Sequence, residues 1–169
     1  MRVNALPATD FTDNPTGCCP RFNPEPWRDV SLEFKDKRFV RATTSSLFHI
    51  PVNMGRVFQK TFAAIESANA LPEHEFIVLS RDLSPWRAEH LFAATGEVPG
   101  LDSVHMSGTY ETQVFEGAYK LAPKWQAQLR SRLESEGKQV ATTYFYYTTC
   151  PKCAKAYGKN YVVGVAALA

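Results

Sequence analysis

No apolar run in these 169 residues approaches the roughly 20 needed to cross a bilayer, and the opening Met1-Arg2-Val3-Asn4-Ala5-Leu6-Pro7 lacks the apolar stretch of a signal peptide. A cytoplasmic chain with no membrane partner is expected. An excess of one charge is also missing: 19 basic against 17 acidic side chains leave a net +2, too little for the electrostatic footprint of a dedicated DNA or RNA binder. Between Lys120 and Lys159 eight basic residues face only Glu134 and Glu136, which could draw an anionic partner. Without interleaved aromatics, that stretch reads more simply as a solvated face. No serine nucleophile elbow, phosphate loop, dinucleotide fingerprint or His-Glu-x-x-His helix occurs, which weighs against nucleotide and cofactor chemistry. Cysteine is limited to Cys18, Cys19, Cys150 and Cys153, thiols or metal ligands rather than a disulfide scaffold. What is present is 44% hydrophobic and 12% aromatic residues, enough for one globular domain or two half-domains sharing a core.

Residues 1–44 differ in texture from the rest. They carry five of the eleven prolines, Pro7, Pro15, Pro20, Pro24 and Pro26, each removing a backbone donor and restricting the residue before it. An arm packed on the core through Phe22, Trp27, Phe34 and Phe39 is expected, followed by a domain over 45–169. There Leu47-Phe48-His49-Ile50 reads as a strand ended by Pro51. Asn53 is placed to cap a helix with Met54, Val57, Phe58, Ile65 and Ala68 on its apolar face. Strands follow at 75–79 and 88–94. The order strand, helix, strand, strand then recurs: 110–116, a helix around Trp125, Leu129 and Leu133, 144–147, and 161–165. A shift of 68 sets Ile65-Glu66-Ser67 on Leu133-Glu134-Ser135. The fold expected is α+β, two such units at about 45–98 and 108–169 in pseudo-twofold arrangement with a cleft between them, because either alone is too small for a stable core.

Cys150-Pro151-Lys152-Cys153 is the most specific local signal, since two thiolates three positions apart can close on one tetrahedral metal ion. The shift of 68 puts Cys150 on Asp82, in a turn between strands, so a hairpin tip is expected. Cys18 and Cys19 would complete a structural zinc site that staples the arm to the core. Adjacent cysteines are awkward as two ligands of one ion, so water or a histidine stands as an alternative to one of them. A redox or metal-transfer pair and free buried thiols are the other readings.

Gly108-Thr109-Tyr110-Glu111-Thr112-Gln113-Val114-Phe115-Glu116-Gly117-Ala118-Tyr119, followed by a helix with Trp125, resembles the G-x-Y-x-x-x-V-F-x-G-x-Y segment of gyrase-inhibitor-like (GyrI-like) domains. These are relatives of the effector domains of AraC-type and MerR-type regulators and of the SOUL haem-binding proteins. Gly17-Cys18-Cys19-Pro20, Phe48-His49-Ile50-Pro51 and the stretch from Tyr147 to Tyr161 look like a bacterial branch often labelled hydrolase. The resemblance implies a small apolar or cationic ligand held between the repeats, and for some members hydrolysis of an electrophilic compound. The chain has no helix-turn-helix segment, which departs from the regulators.

Glu116, ending the first strand of the second unit, and Glu89, in the last strand of the first, are the candidate catalytic carboxylates. Burial in an aromatic cleft would raise such a pKa into the general acid or base range. Strand alternation equally allows either to face solvent. His49 is a third candidate, against its reading as a packing residue. Phe48, Trp86, Tyr110, Tyr119 and Tyr146 are the candidate ligand-binding aromatics, against membership of the core or its rim. A non-enzymatic binding or sequestering protein with a structural zinc is the competing function.

Overall fold

The computed structural model describes residues 2–169. Strands β1 (Ser31–Leu47), β2 (Ile50–Pro51), β3 (Val78–Ser84), β4 (Arg87–Ala93), β5 (Asp102–Glu116), β6 (Val140–Tyr147) and β7 (Tyr161–Leu168) are joined by helices α1 (Met54–Ser67), α2 (Ala122–Ser135) and α3 (Pro151–Tyr157). Six strands run β1-β4-β3-β6-β7-β5 and return to β1, all pairs antiparallel, so the sheet closes into a barrel. Closure removes the exposed edges that an open sheet would have to protect. The seam between β3 and β6 is thin, with Ser80 opposite Phe145 as its one register pair.

Residues 31–44, expected in the arm, are most of β1. Proline is absent from them, and after Asp36 the chain alternates, with Val40, Ala42, Thr44 and Ser46 buried. Between Phe34 and Lys37 the register with β5 shifts, and Asp36 takes a left-handed φ of 50°. That bulge switches the parity of the strand. Phe34 and Phe39, five residues apart, therefore share a face, with ring centroids 6.0 Å apart.

The expected strand 47–50 is instead a tight turn. Phe48 and His49 have φ of 49° and 68°, between the end of β1 and the two-residue β2. Its apolar run had suggested a buried strand, but Leu47, Phe48, Ile50 and Val52 are all exposed. Asn53 does precede α1, yet its side chain accepts the Ser45 amide at 2.8 Å rather than capping the helix.

Alternation divides the sheet into two faces. Phe39, Leu79, Leu91, Tyr110, Tyr144, Tyr146, Val163 and Val165 are buried on the inner face. On the outer face α1 lays Phe58 and Phe62 against Phe92, at 5.0 and 5.2 Å between centroids. Helix α2 lays Trp125, Leu129 and Leu133, buried at a spacing of four, over Phe115, Phe145, Val162 and Ala166. Trp125 stacks on Phe115 at 5.4 Å and 12°. Ahead of β1, Val3 bridges Glu33, the Leu6 amide reaches Glu75, and Trp27 is buried against Phe22 and Tyr146.

Candidate functional site

The two long helices leave a broad open groove between them, floored by the thin β3–β6 seam, with Phe58 on one wall and Tyr119 and Tyr147 on the other. Three buried atoms of groove-lining residues, Asn14 Oδ1, Thr143 Oγ1 and Thr149 Oγ1, have no hydrogen-bond partner among the described residues. Unmatched polar atoms in a cleft are hooks for water or ligand.

Two histidines stand in this groove in opposite states. His90 of β4 is buried under Phe58, its Nδ1 2.7 Å from Ser80 Oγ and its Nε2 2.8 Å from Thr44 Oγ1. Burial drops its pKa to about 4, so the ring is neutral and held from both sides. His49, lifted on the strained turn, is exposed, and its Nδ1 lies 2.8 Å from Asp82 Oδ2. A carboxylate only accepts, so the Nδ1 proton is fixed on that side and Nε2 is left as a base. Amides secure the turn: His49 N–H donates to Pro85 O and Ser46 N–H to Trp86 O. Left-handed φ at two non-glycine residues is costly and persists where surrounding contacts enforce it, often at functional sites.

The structure splits the candidate aromatics and carboxylates. His49, Phe48 and Tyr119 line the groove, Tyr119 packing edge-on against Tyr147 at 5.7 Å, and Tyr146 borders it from the inner face, where it packs on Trp27. Trp86 is half-exposed beside Phe48, 4.9 Å between centroids, at the tip of the β3–β4 turn. Tyr110 is not in the cleft: its strand parity turns it into the barrel against Phe34. Glu89 is not in the cleft either, because it neighbours His90 and so points to the other face. There it is buried between Arg41 Nε and Arg81 Nε, each 2.7 Å away. Glu116 is exposed at the end of β5 and is not among the groove residues. Ser80, Asp82, Thr44 and His90 escaped the sequence reading. The alternating Ser80-x-Asp82 and Thr44-x-Ser46 were the available signal.

The four cysteines converge at one end of the groove, all Sγ atoms within 4.8 Å of one another. The 150–153 segment is a helix start rather than a hairpin tip: Cys150 is the N-cap of α3, Pro151 opens the helix, and Gly158 ends it in the left-handed region. Pro151 fixes its own φ and needs no donor there, which favours a first helical turn over a hairpin. Cys18 Sγ lies 3.8 Å from Cys19 Sγ and 4.0 Å from Cys150 Sγ. A tetrahedral ion with metal–sulfur bonds of about 2.3 Å spaces its thiolates about 3.8 Å apart, so the set is compatible with a metal site. No histidine belongs to the group. Around it, the Cys150 amide donates to Cys19 Sγ, Thr16 Oγ1 contacts Cys153 Sγ at 3.2 Å, and the Tyr157 hydroxyl donates to Cys19 O. Burial raises the Cys19 thiol well above its usual range. At Cys153 burial also opposes the thiolate, but hydrogen bonds from Thr16 and the neighbouring thiols outweigh it and bring the pKa to about 7.

A sequence model of the family described as "Bacterial hydrolase" matches residues 9–168, nearly the whole chain. The chain belongs to this bacterial hydrolase family. No curated protein matches it. The family match spans the cysteine cluster, both long helices and every barrel strand, so cluster and groove are both within the hydrolase-family domain. Among the described residues, no helix is long and apolar enough to cross a membrane.

Proposed function

We propose that this protein is a hydrolase of a small, electrophilic, apolar or cationic molecule, bound in the groove between α1 and α2. The observation that carries the reading is the His49–Asp82 pair on the groove rim, in a chain of the hydrolase family. Asp82 orients the ring, His49 Nε2 takes a proton from water as that water attacks, and Phe58, Tyr119 and Tyr147 provide walls for the substrate. Water activation falls to His49 because Glu89 is occupied by two guanidiniums and Glu116 is remote. The barrel belongs, in this reading, to the GyrI-like kind with pseudo-twofold repeats β1-α1-β3-β4 and β5-α2-β6-β7. Support comes from α1 and α2, whose ends, Met54–Ser67 and Ala122–Ser135, are offset by 68 residues. One zinc ion on Cys18, Cys19, Cys150 and Cys153 ties residues near the N-terminus to α3, a structural role in a reducing, cytoplasmic setting. DNA and membranes have no part in it.

The test is turnover of a panel of esters and strained-ring electrophiles by the full chain. His49→Gln and Asp82→Asn should cut hydrolysis by roughly two orders of magnitude or more without changing thermal stability. Turnover undiminished in both variants rejects the assignment of His49. The cysteine cluster favours a second reading, a non-enzymatic binding protein whose metal is structural. Saturable ligand binding with no turnover across the panel would select it.

A further inference from the structure

We propose that the end of the barrel near the β3–β4 turn, on the sheet face opposite the groove, is a binding site for a small oxyanion-bearing molecule, held by Arg41, Arg81 and Tyr144. Arg41 and Arg81 come from β1 and β3 and flank Glu89 of β4 between them. Each meets that carboxylate through Nε at 2.7 Å. Their terminal Nη groups make no hydrogen bond to the described residues, although both side chains are more than a third exposed. Glu89 itself is 3% exposed. The buried carboxylate accepts a hydrogen bond from Arg81 Nε, which sets the plane of that guanidinium, and anchors Arg41 beside it as an ion pair, while the outward Nη donors of both stay free. That is a preorganised fork for carboxylate or phosphate oxygens.

The phenols extend the donor set. Arg81 lies 5.4 Å over the Tyr144 ring, and neither Tyr144 nor Tyr110, which faces the same interior, has a hydroxyl partner among the described residues. Charge favours an anion. Arg87 precedes Glu89 by two along the same face of β4 and has no ion pair among the described residues. Arg41, Arg81 and Arg87 thus outnumber Glu89 and Asp102, which stands opposite Arg41 in the β1–β5 register. Arg81 borders the groove through its strand, but its side chain alternates with those of Ser80 and Asp82 and so projects to the other side of the sheet, onto Glu89.

Calorimetric titration of the full chain with inorganic phosphate, and separately with succinate, tests this at constant ionic strength in chloride. Saturable binding of either probe by the wild type is expected, and which probe binds distinguishes a phosphate from a carboxylate ligand. Arg81→Gln should weaken binding at least tenfold and Tyr144→Phe, which leaves the Glu89 ion pairs intact, several-fold. Glu89→Gln should weaken it several-fold, because the two guanidiniums lose the carboxylate that holds them in place. Absence of saturable binding for both probes, or equal affinity in wild type, Arg81→Gln and Tyr144→Phe, would overturn the proposal.

Discussion

Cys150 and Cys19 are 131 residues apart in sequence, yet the Cys150 amide donates to Cys19 Sγ at 3.4 Å. An N–H···S bond of this kind supports a ligand thiolate, which makes the contact part of the metal proposal as well as of the fold. Protein purified without chelator should carry about one zinc per chain, with all four thiols slow to alkylate until the metal is removed. Cys150→Ser or chelation should lower the melting temperature by on the order of 10 °C, as for a loss of about 3 kcal/mol in a domain of this size. Metal-free protein with four freely alkylated thiols would sink the zinc assignment.

His90 makes stability depend on pH. Its folded pKa of about 4 lies below the ordinary histidine value of 6.5, so between those values the unfolded chain binds the additional proton. Stability from this group is full above about pH 6.5 and falls as pH drops toward 4, by on the order of 3 kcal/mol across the window. Urea midpoints at pH 7.5 and 4.5 should show the decline in wild type. His90→Gln should be less stable at pH 7.5 and show a smaller decline.

The turn that carries His49 stores strain. Phe48 has φ 49° in an exposed position, where glycine meets no steric penalty. Phe48→Gly should therefore stabilise the fold by about 1 kcal/mol despite losing the contact with Trp86. If denaturant melts instead show a loss of stability, the Phe48–Trp86 contact is worth more than the strain.

Gly164 holds α2 close to the sheet. A Cβ there would lie 2.9 Å from Leu129 Cδ2 and 3.0 Å from Phe115 Cε2, with both neighbours confined in the core. Gly164→Ala should destabilise by about 1–3 kcal/mol through overpacking, read as a lower urea midpoint at unchanged slope. An unchanged midpoint would show that the cluster under α2 can give way.

Local pattern determined both long helices, strands β4, β6 and β7 and the second half of β5, because 3.6-residue and two-residue periodicities are written into consecutive residues, whereas the strand expected at 75–79 meets β3 only at Val78 and Leu79. The Trp125, Leu129, Leu133 face of α2 was legible for that reason. Spacing also singled out Cys150 and Cys153 as partners. Tertiary structure alone decided the rest. Closure of the sheet into a barrel depends on β1 meeting both β4 and β5, pairings between distant segments that periodicity does not record. Strand parity sent Glu89 inward to two arginines and left His90 on the groove side, a choice that alternation leaves open until one face is covered by a helix. The Asp82 partner of His49 comes from a strand 33 residues away. Cys18 and Cys19 become neighbours of Cys150 and Cys153 only once the segment before β1 is folded back, since a metal site is defined by distances in space that no sequence spacing can fix.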